Sequence, residues 1–209
     1  MKLAKISKLV QHSKQVVLYR LRSGFLLGVP AAWYLVDDLP YIERERELQI
    51  LLDIPDKRWK GTLAEFKEAE GTEIIGRYNL FGRDATDSPC QEHPYTRGNA
   101  IVAMLAEDGR MAFFDRSLLE PLRDLLKEEG ENITFHLRET SAGEYYILIY
   151  KGMFLQAVLF ALTLPQLGDE YIFRLKDYYK CLQAEQARRM LLAGEIPEER
   201  LKEGQENGS

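Results

Sequence analysis

Cys90-x-x-His93 sets a thiol and an imidazole at a spacing found in structural zinc sites. It is half a site. The remaining histidines, His12 and His136, and the other cysteine, Cys181, belong to no comparable pair. A closed tetrahedral site needs about four ligands, so no metal is expected at Cys90 and His93. The same pair read as nucleophile and base has no oxyanion-stabilising group placed beside it. Asp37 and Asp38 are adjacent, and adjacent strand residues face opposite ways, so they would not chelate one ion together. Asp84-x-x-Asp87 flanks a turn, where Asp commonly caps backbone. There is no G-x-x-x-x-G-K-[ST] run and no dinucleotide-type glycine cluster. The expectation is a non-enzymatic chain with no catalytic residue, no metal and no cofactor.

Charge offers a different chemistry. Residues 1–24 hold Lys2, Lys5, Lys8, Lys14, Arg20 and Arg22 and no acidic residue, in a chain of net charge −5. Lys2, Lys5, Lys8 and Lys14 are the candidate DNA-binding residues, able to neutralise backbone phosphates without reading sequence. The competing reading is a solvated helix face that uses lysine for solubility. The second helical region, Asp115 to Glu131, carries six acidic and three basic residues and would repel the same backbone. Tyr145-Tyr146, Tyr171 and Tyr178-Tyr179 read as packing residues rather than base-stacking platforms.

The elements that must position these residues follow from hydrophobic spacing. Leu3, Ile6, Leu9 and Val10 share one helical face. "QVVLYRLR" (15–22), "FLLGV" (25–29) and "AAWYLV" (31–36) predict strands. Residues 3–22 slide without a gap onto 119–138, placing Leu3, Ile6, Leu9 and Val10 on Leu119, Leu122, Leu125 and Leu126. "EYYILIYKG" (144–152) and "FLQAVLFAL" (154–162) then predict two more strands. The two runs end alike, at Leu39-Pro40 and at Leu164-Pro165, 125 residues apart. This spacing points to two copies of one unit. The second copy has a leading hairpin, residues 99–114, turning at Glu107-Asp108-Gly109; in the first, "MKLAK" is a possible stub of that strand. Between the copies, 45–54 predicts a helix stopped by Pro55, 61–71 a polar helix, 72–81 a strand and 82–99 a long exposed loop.

The predicted fold is therefore α+β: two pseudo-repeated (β)αβββ units forming antiparallel sheet with helices on one face, plus a C-terminal helix. The boundaries are 1–42 for the first unit, 43–98 for a partly helical insertion and 99–167 for the second unit. A C-terminal helix follows over 168–194, with Ile172, Leu175, Tyr179 and Leu182 as its stripe, then a disordered tail over 195–209. At 209 residues, 45% apolar and 29% charged, the chain has the balance of a soluble globular protein. Two cysteines give no disulfide framework, and "MKLAKISKLVQHSK" lacks a signal-peptide core. A cytoplasmic protein with no membrane span is expected.

Two resemblances bear on function. "GVPAAWYLVDDLP" (28–40) resembles the start of a family of uncharacterised phage and prophage proteins of Gram-positive bacteria, through Gly28, Ala32, Tyr34, Leu39 and Pro40. Val29, Pro30, Leu35 and Asp38 depart from that pattern. The doubled unit, with "FDRSLLEPLRDLL", "ITFHLR", "YYILIYKG" and "AVLFALTLP", is similar to DNA sliding clamps, the polymerase processivity factors. Those resemblances imply a non-enzymatic, clamp-like DNA accessory module meeting duplex DNA through its basic helix. The alternative is a phage-type protein-interaction or structural module with no DNA contact, working through a protein partner or self-association.

Overall fold

The computed structural model describes residues 3–21, 24–37, 39–69, 74–75, 77–92, 96, 100–128, 132–162, 177 and 180. Met1–Thr163 forms one compact unit and Leu164–Ser209 a second. Lys2, Asp38, His93 and Cys181 lie outside the described residues, as does all but Asp177 and Lys180 of the predicted C-terminal helix and tail. Among the described residues no helix is long and apolar enough to cross a membrane.

The first unit is mixed α+β around one ten-stranded sheet, in the order β4-β1-β2-β3-β12-β11-β10-β7-β8-β9. It opens with α1 (Leu3–Ser13), whose Ile6 and Val10 are buried. The meander β1 (Gln15–Leu21), β2 (Gly24–Val29) and β3 (Ala32–Val36) follows. Strand alternation decides what each face receives. Leu27, Ala32, Tyr34 and Val36 point to the face carrying α1; Leu26, Trp33 and Leu35 point to the other. The later meander, β10 (Ile133–Glu139), β11 (Tyr145–Lys151) and β12 (Phe154–Phe160), divides the same way. Leu137, Ile147 and Ile149 join the α1 side; Tyr146, Leu148 and Val158 join the other. Each such side chain removed from water contributes about 1.5–3 kcal/mol.

The meanders meet where β3 pairs antiparallel with β12, Trp33 opposite Val158. The helical segment preceding β10 begins as a 3-10 helix (Arg116–Leu122) before α4 (Arg123–Glu128), so the regular helix expected from Leu119 starts later. Asp115 caps it, accepting from Ser117 N–H at 2.8 Å. Leu122 is as buried as Ile6, its partner in the sequence superposition, whereas Leu126 is only half-buried where Val10 is fully buried. The buried Tyr34 hydroxyl donates to Leu118 O at 2.8 Å, fixing the 3-10 helix over the sheet.

Four expectations are corrected. Residues 63–68 form β4 (Leu63–Glu68), parallel to β1, not a helix. Leu63, Phe66 and Ala69 keep a helix-like i, i+3, i+6 spacing, and pairing with β1 overrides it together with the helix preference of Ala, Glu and Lys. Within the predicted 82–99 loop, Ser88–Glu92 is β7, an interior strand between β10 and β8 (Ile101–Ala106). Its Pro89 pairs opposite His136, and its carbonyl accepts from Glu107 N–H at 2.9 Å. The N–H that proline lacks would thus face the turn after β8 rather than mid-ladder. Leu3, Ala4 and Lys5 belong to α1, so they supply no leading strand. The 72–81 segment is a small hairpin, β5 (Ile74–Ile75) and β6 (Tyr78–Asn79). The 99–114 hairpin forms as expected, with β9 (Met111–Asp115) as its return. β3 and β4 are linked by two short helices, α2 (Glu45–Leu51) and α3 (Asp56–Trp59). Leu162 N–H donates to Phe113 O at 2.8 Å, tying the run beyond β12 to the outer strand β9.

Candidate functional site

Of the candidate DNA-binding lysines, Lys5, Lys8 and Lys14 lie among the described residues. Lys5 Nζ lies 3.2 Å from Glu120 Oε2, joining α1 to the 3-10 helix. Lys14, in a left-handed conformation at φ 58°, donates to the carbonyl of Arg58. Lys8 is exposed on α1. Cys90 is half-buried in β7, and burial, reinforced by the charge of Asp87, pushes its thiol up to about 12. A thiol with that pKa stays protonated at neutral pH and is a poor nucleophile. Among the described residues, no group of three or more His, Cys, Asp or Glu could hold a metal ion. Asp84 caps its turn as expected, accepting from Thr86 N–H at 2.9 Å and Thr86 Oγ1 at 2.7 Å.

Asp87 has a longer reach than a turn cap. Its carboxylate accepts from Arg138 Nε at 2.6 Å and lies 3.0 Å from His136 Nδ1. Arg138 then donates through Nη1 to the carbonyls of Asn79 (2.8 Å) and Gly82 (3.1 Å). Tyr146 and Tyr150 hydroxyls donate to Asn79 O and Leu80 O at 3.1 and 3.2 Å. Together these side chains of β10 and β11 pin residues 79–82 onto the sheet face opposite α1. The anchor leaves Tyr78 standing over that face.

Tyr78 completes a groove of aromatic rings. Its ring lies 4.5 Å from Phe160, 5.5 Å from Trp33 and 5.2 Å from Tyr146 between centroids. Trp33 meets Phe160 edge-on at 4.8 Å and Tyr19 at 5.0 Å. The indole can lie this low because its register partner is Gly28. A Cβ at Gly28 would land on Trp33 Cδ1 and within 2.7 Å of Val17 Cγ1. A glycine inside a strand marks such a close approach.

Two pockets flank the Tyr78–Phe160 pair and share Pro30. One, about 240 Å³, is walled by Val17, Trp33, Glu65 and Lys67; the other, about 400 Å³, by Arg77, Gly143, Glu144 and Tyr145. The rim charges are matched: Lys67 meets Glu65 at 2.6 Å and Arg77 meets Glu144 at 2.7 Å. The hydrogen bond that the Lys67 ammonium donates to Glu65 is the main reason it is held above its ordinary pKa. The result is an aromatic ridge, Tyr78 and Phe160, between a mainly apolar pocket and a mixed polar one, inside a charge-neutral rim.

Sequence reading passed over Tyr19, Trp33, Tyr78 and Phe160 as site residues. Gly28, opposite Trp33 in a hairpin turning at Pro30, was the available signal. Protein-family models, curated proteins and solved structures were each compared with the chain, and none gives a significant match.

Proposed function

We propose that the chain is a non-enzymatic protein-interaction module whose aromatic groove receives an extended polypeptide segment. The observation that carries this reading is the pair of pockets on either side of Tyr78 and Phe160, sharing Pro30. Two adjoining lobes suit alternate side chains, i and i+2, of one strand-like peptide, an apolar one beside Trp33 and a more polar one beside Glu144. Aromatic rings give such a site contact area with little rotamer entropy to lose. The rim favours a near-neutral segment over a polyanion, since its ion pairs are already satisfied. Panning a random peptide library on the full chain tests this. Enriched peptides should be rich in apolar and aromatic residues and lose at least about ten-fold in affinity on Tyr78→Ala or Phe160→Ala, as contacts central to an interface do. No enrichment, or binding indifferent to both substitutions, overturns it.

A second reading, a clamp-like DNA accessory module of phage or prophage type, is supported by the order helix, strand, strand, strand on both sides of the β3·β12 pair. The register adds to it: Trp33 opposes Val158, and these are the residues equated by the 125-residue offset of the Leu-Pro endings, as a two-fold between copies would require. In this reading Lys2, Lys5, Lys8 and Lys14 face the phosphates. Lys5 and Lys14 would have to leave their present partners to do so, which is why the groove is placed first. Duplex binding measured against salt for wild type and Lys8→Glu decides: equal binding, or none by either, removes the DNA reading.

A further inference from the structure

We propose that β4 is a self-complementary edge through which two copies of this chain pair antiparallel, with Phe66 on the two-fold axis. β4 ends the ten-stranded sheet, and among the described residues β1 is its one strand neighbour. Both of its faces are open: Leu63, Glu65, Phe66, Lys67 and Glu68 are exposed, Leu63 at 56% and Phe66 at 37%. Leu63 and Ala69 donate their N–H groups inward, to Lys14 O and Arg20 O at 2.9 Å each. Inward and outward backbone groups alternate along a strand, so Ala64, Phe66 and Glu68 present theirs outward.

That parity limits the possible registers. In an antiparallel pair, residues whose backbone groups face the partner oppose each other as hydrogen-bonded pairs. Centring on Phe66 sets Phe66 against Phe66 of the second copy and Ala64 against Glu68 of the second copy, all outward-facing. The intervening pairs are the closer, non-hydrogen-bonded ones: Glu65 opposite Lys67, twice by symmetry, and Leu63 opposite Ala69. Centring on Glu65 or Lys67 instead would put like charges directly opposite each other, which destabilises a sheet. Charges on edge strands usually discourage pairing; here their alternating sign makes one register complementary to itself. The side chains also sort by face. Phe66 shares the α1 side with its neighbour Leu18, and Glu65 and Lys67 share the groove side with Val17 and Tyr19. The glutamate nearest the ladder's end, Glu68, keeps its own partner, Arg20, at 2.7 Å.

The pairing shares Glu65 and Lys67 with the groove's rim, and their ion pair within one chain would be exchanged for pairs between copies; it does not require the groove to be occupied. The test is sedimentation equilibrium of the full chain over a wide concentration range. Wild type should pass from the 24.2 kDa monomer to twice that mass. Phe66→Pro removes an N–H that faces away from β1, so the monomer's ladder stays whole while the dimer loses its central pair; it should remain monomeric. Glu65→Lys should weaken dimerisation about ten-fold or more, because two opposite-charge pairs become like-charge pairs in each dimer. The double exchange Glu65→Lys with Lys67→Glu should restore it. Circular dichroism checks the fold of each variant, and should Phe66→Pro unfold, the exchange series alone decides. A wild type that is monomeric throughout, or a dimer indifferent to Glu65→Lys and to its rescue, overturns the proposal.

Discussion

Gly28→Ala is the sharpest perturbation of the groove. The substitution itself favours folding by about 0.5–1 kcal/mol, because alanine has less backbone freedom to lose. Against that, the new methyl would fall on Trp33 Cδ1, 2.9 Å from Trp33 Nε1 and 2.7 Å from Val17 Cγ1. No far end of a flexible chain is involved: Val17 is held in β1 and the indole is wedged between Tyr19, Tyr78 and Phe160. Overpacking of this kind costs about 1–3 kcal/mol. If the indole lifts to make room, its aromatic pairs are lost as well, each about 0.5–1.5 kcal/mol. The net expectation is a loss of about 2 kcal/mol, or about 4–8 °C in Tm for a chain of this size. Chemical denaturation followed by far-ultraviolet circular dichroism measures it. Acrylamide quenching in a Trp59→Phe background reports Trp33 alone, since the chain has two tryptophans; Gly28→Ala should raise quenching. A stability within about 0.5 kcal/mol of wild type, the range of ordinary surface substitutions, together with unchanged quenching, would refute the account of why Trp33 lies where it does.

Arg138→Met removes the donor to Asn79 O and Gly82 O and the partner of Asp87; it should cost about 3 kcal/mol and open residues 77–84 to limited proteolysis, both read against wild type. Cys90 should alkylate slowly at pH 8 in a Cys181→Ser background and quickly once unfolded, because burial pushes its thiol up to about 12; fast labelling of the native chain would contradict its placement. Asp108, chiefly through the Arg110 hydrogen bond, and Glu120, through that of Lys5, are held below their ordinary values of 3.8 and 4.5. Lowered folded pKa values mean the unfolded chain takes up protons first. Stability from these groups is therefore complete above about pH 5 and lost as pH falls through the folded values, which an acid titration of the denaturation midpoint will follow. Lys5→Ala should lower stability by no more than about 1 kcal/mol, as exposed ion pairs do, and a larger loss would mean that the α1 to 3-10 contact depends on more than packing.

How much of this was legible in the sequence depended on the range of the interactions. The two meanders were readable because alternation is local: Ala32, Tyr34 and Val36 go one way and Trp33 and Leu35 the other whatever lies beyond. β4 was not, because Leu63–Glu68 becomes a strand by pairing with β1, 48 residues earlier at Leu63 and Gln15. β7 was hidden behind Pro89, a residue that ordinarily argues against an interior strand. Its tolerance depends on Glu107 lying opposite, in a turn that local reading of residues 82–99 cannot see.

The groove shows the same division at the level of the site. Trp33 and Phe160 sit on strands whose alternation is plain, yet alternation says only that they leave the α1 face. It does not say whether the opposite face is solvent, core or groove. That is settled by Tyr78, and Tyr78 is positioned by side chains far along the chain: Arg138 and Tyr146 reach Asn79 across 59 and 67 residues, and Tyr150 reaches Leu80 across 70. No periodicity in 72–81 encodes those bonds, since they are made by backbone carbonyls that every residue carries. Judged against its neighbours, Arg138 is one more polar residue of a strand and Asp87 a turn residue. Their pairing across the sheet holds the hairpin tip in place. The two pockets beside Tyr78 and Phe160 therefore depend on an ion pair that does not line them, so the groove should be weakened by changes at Asp87 or Arg138 that leave every ring intact.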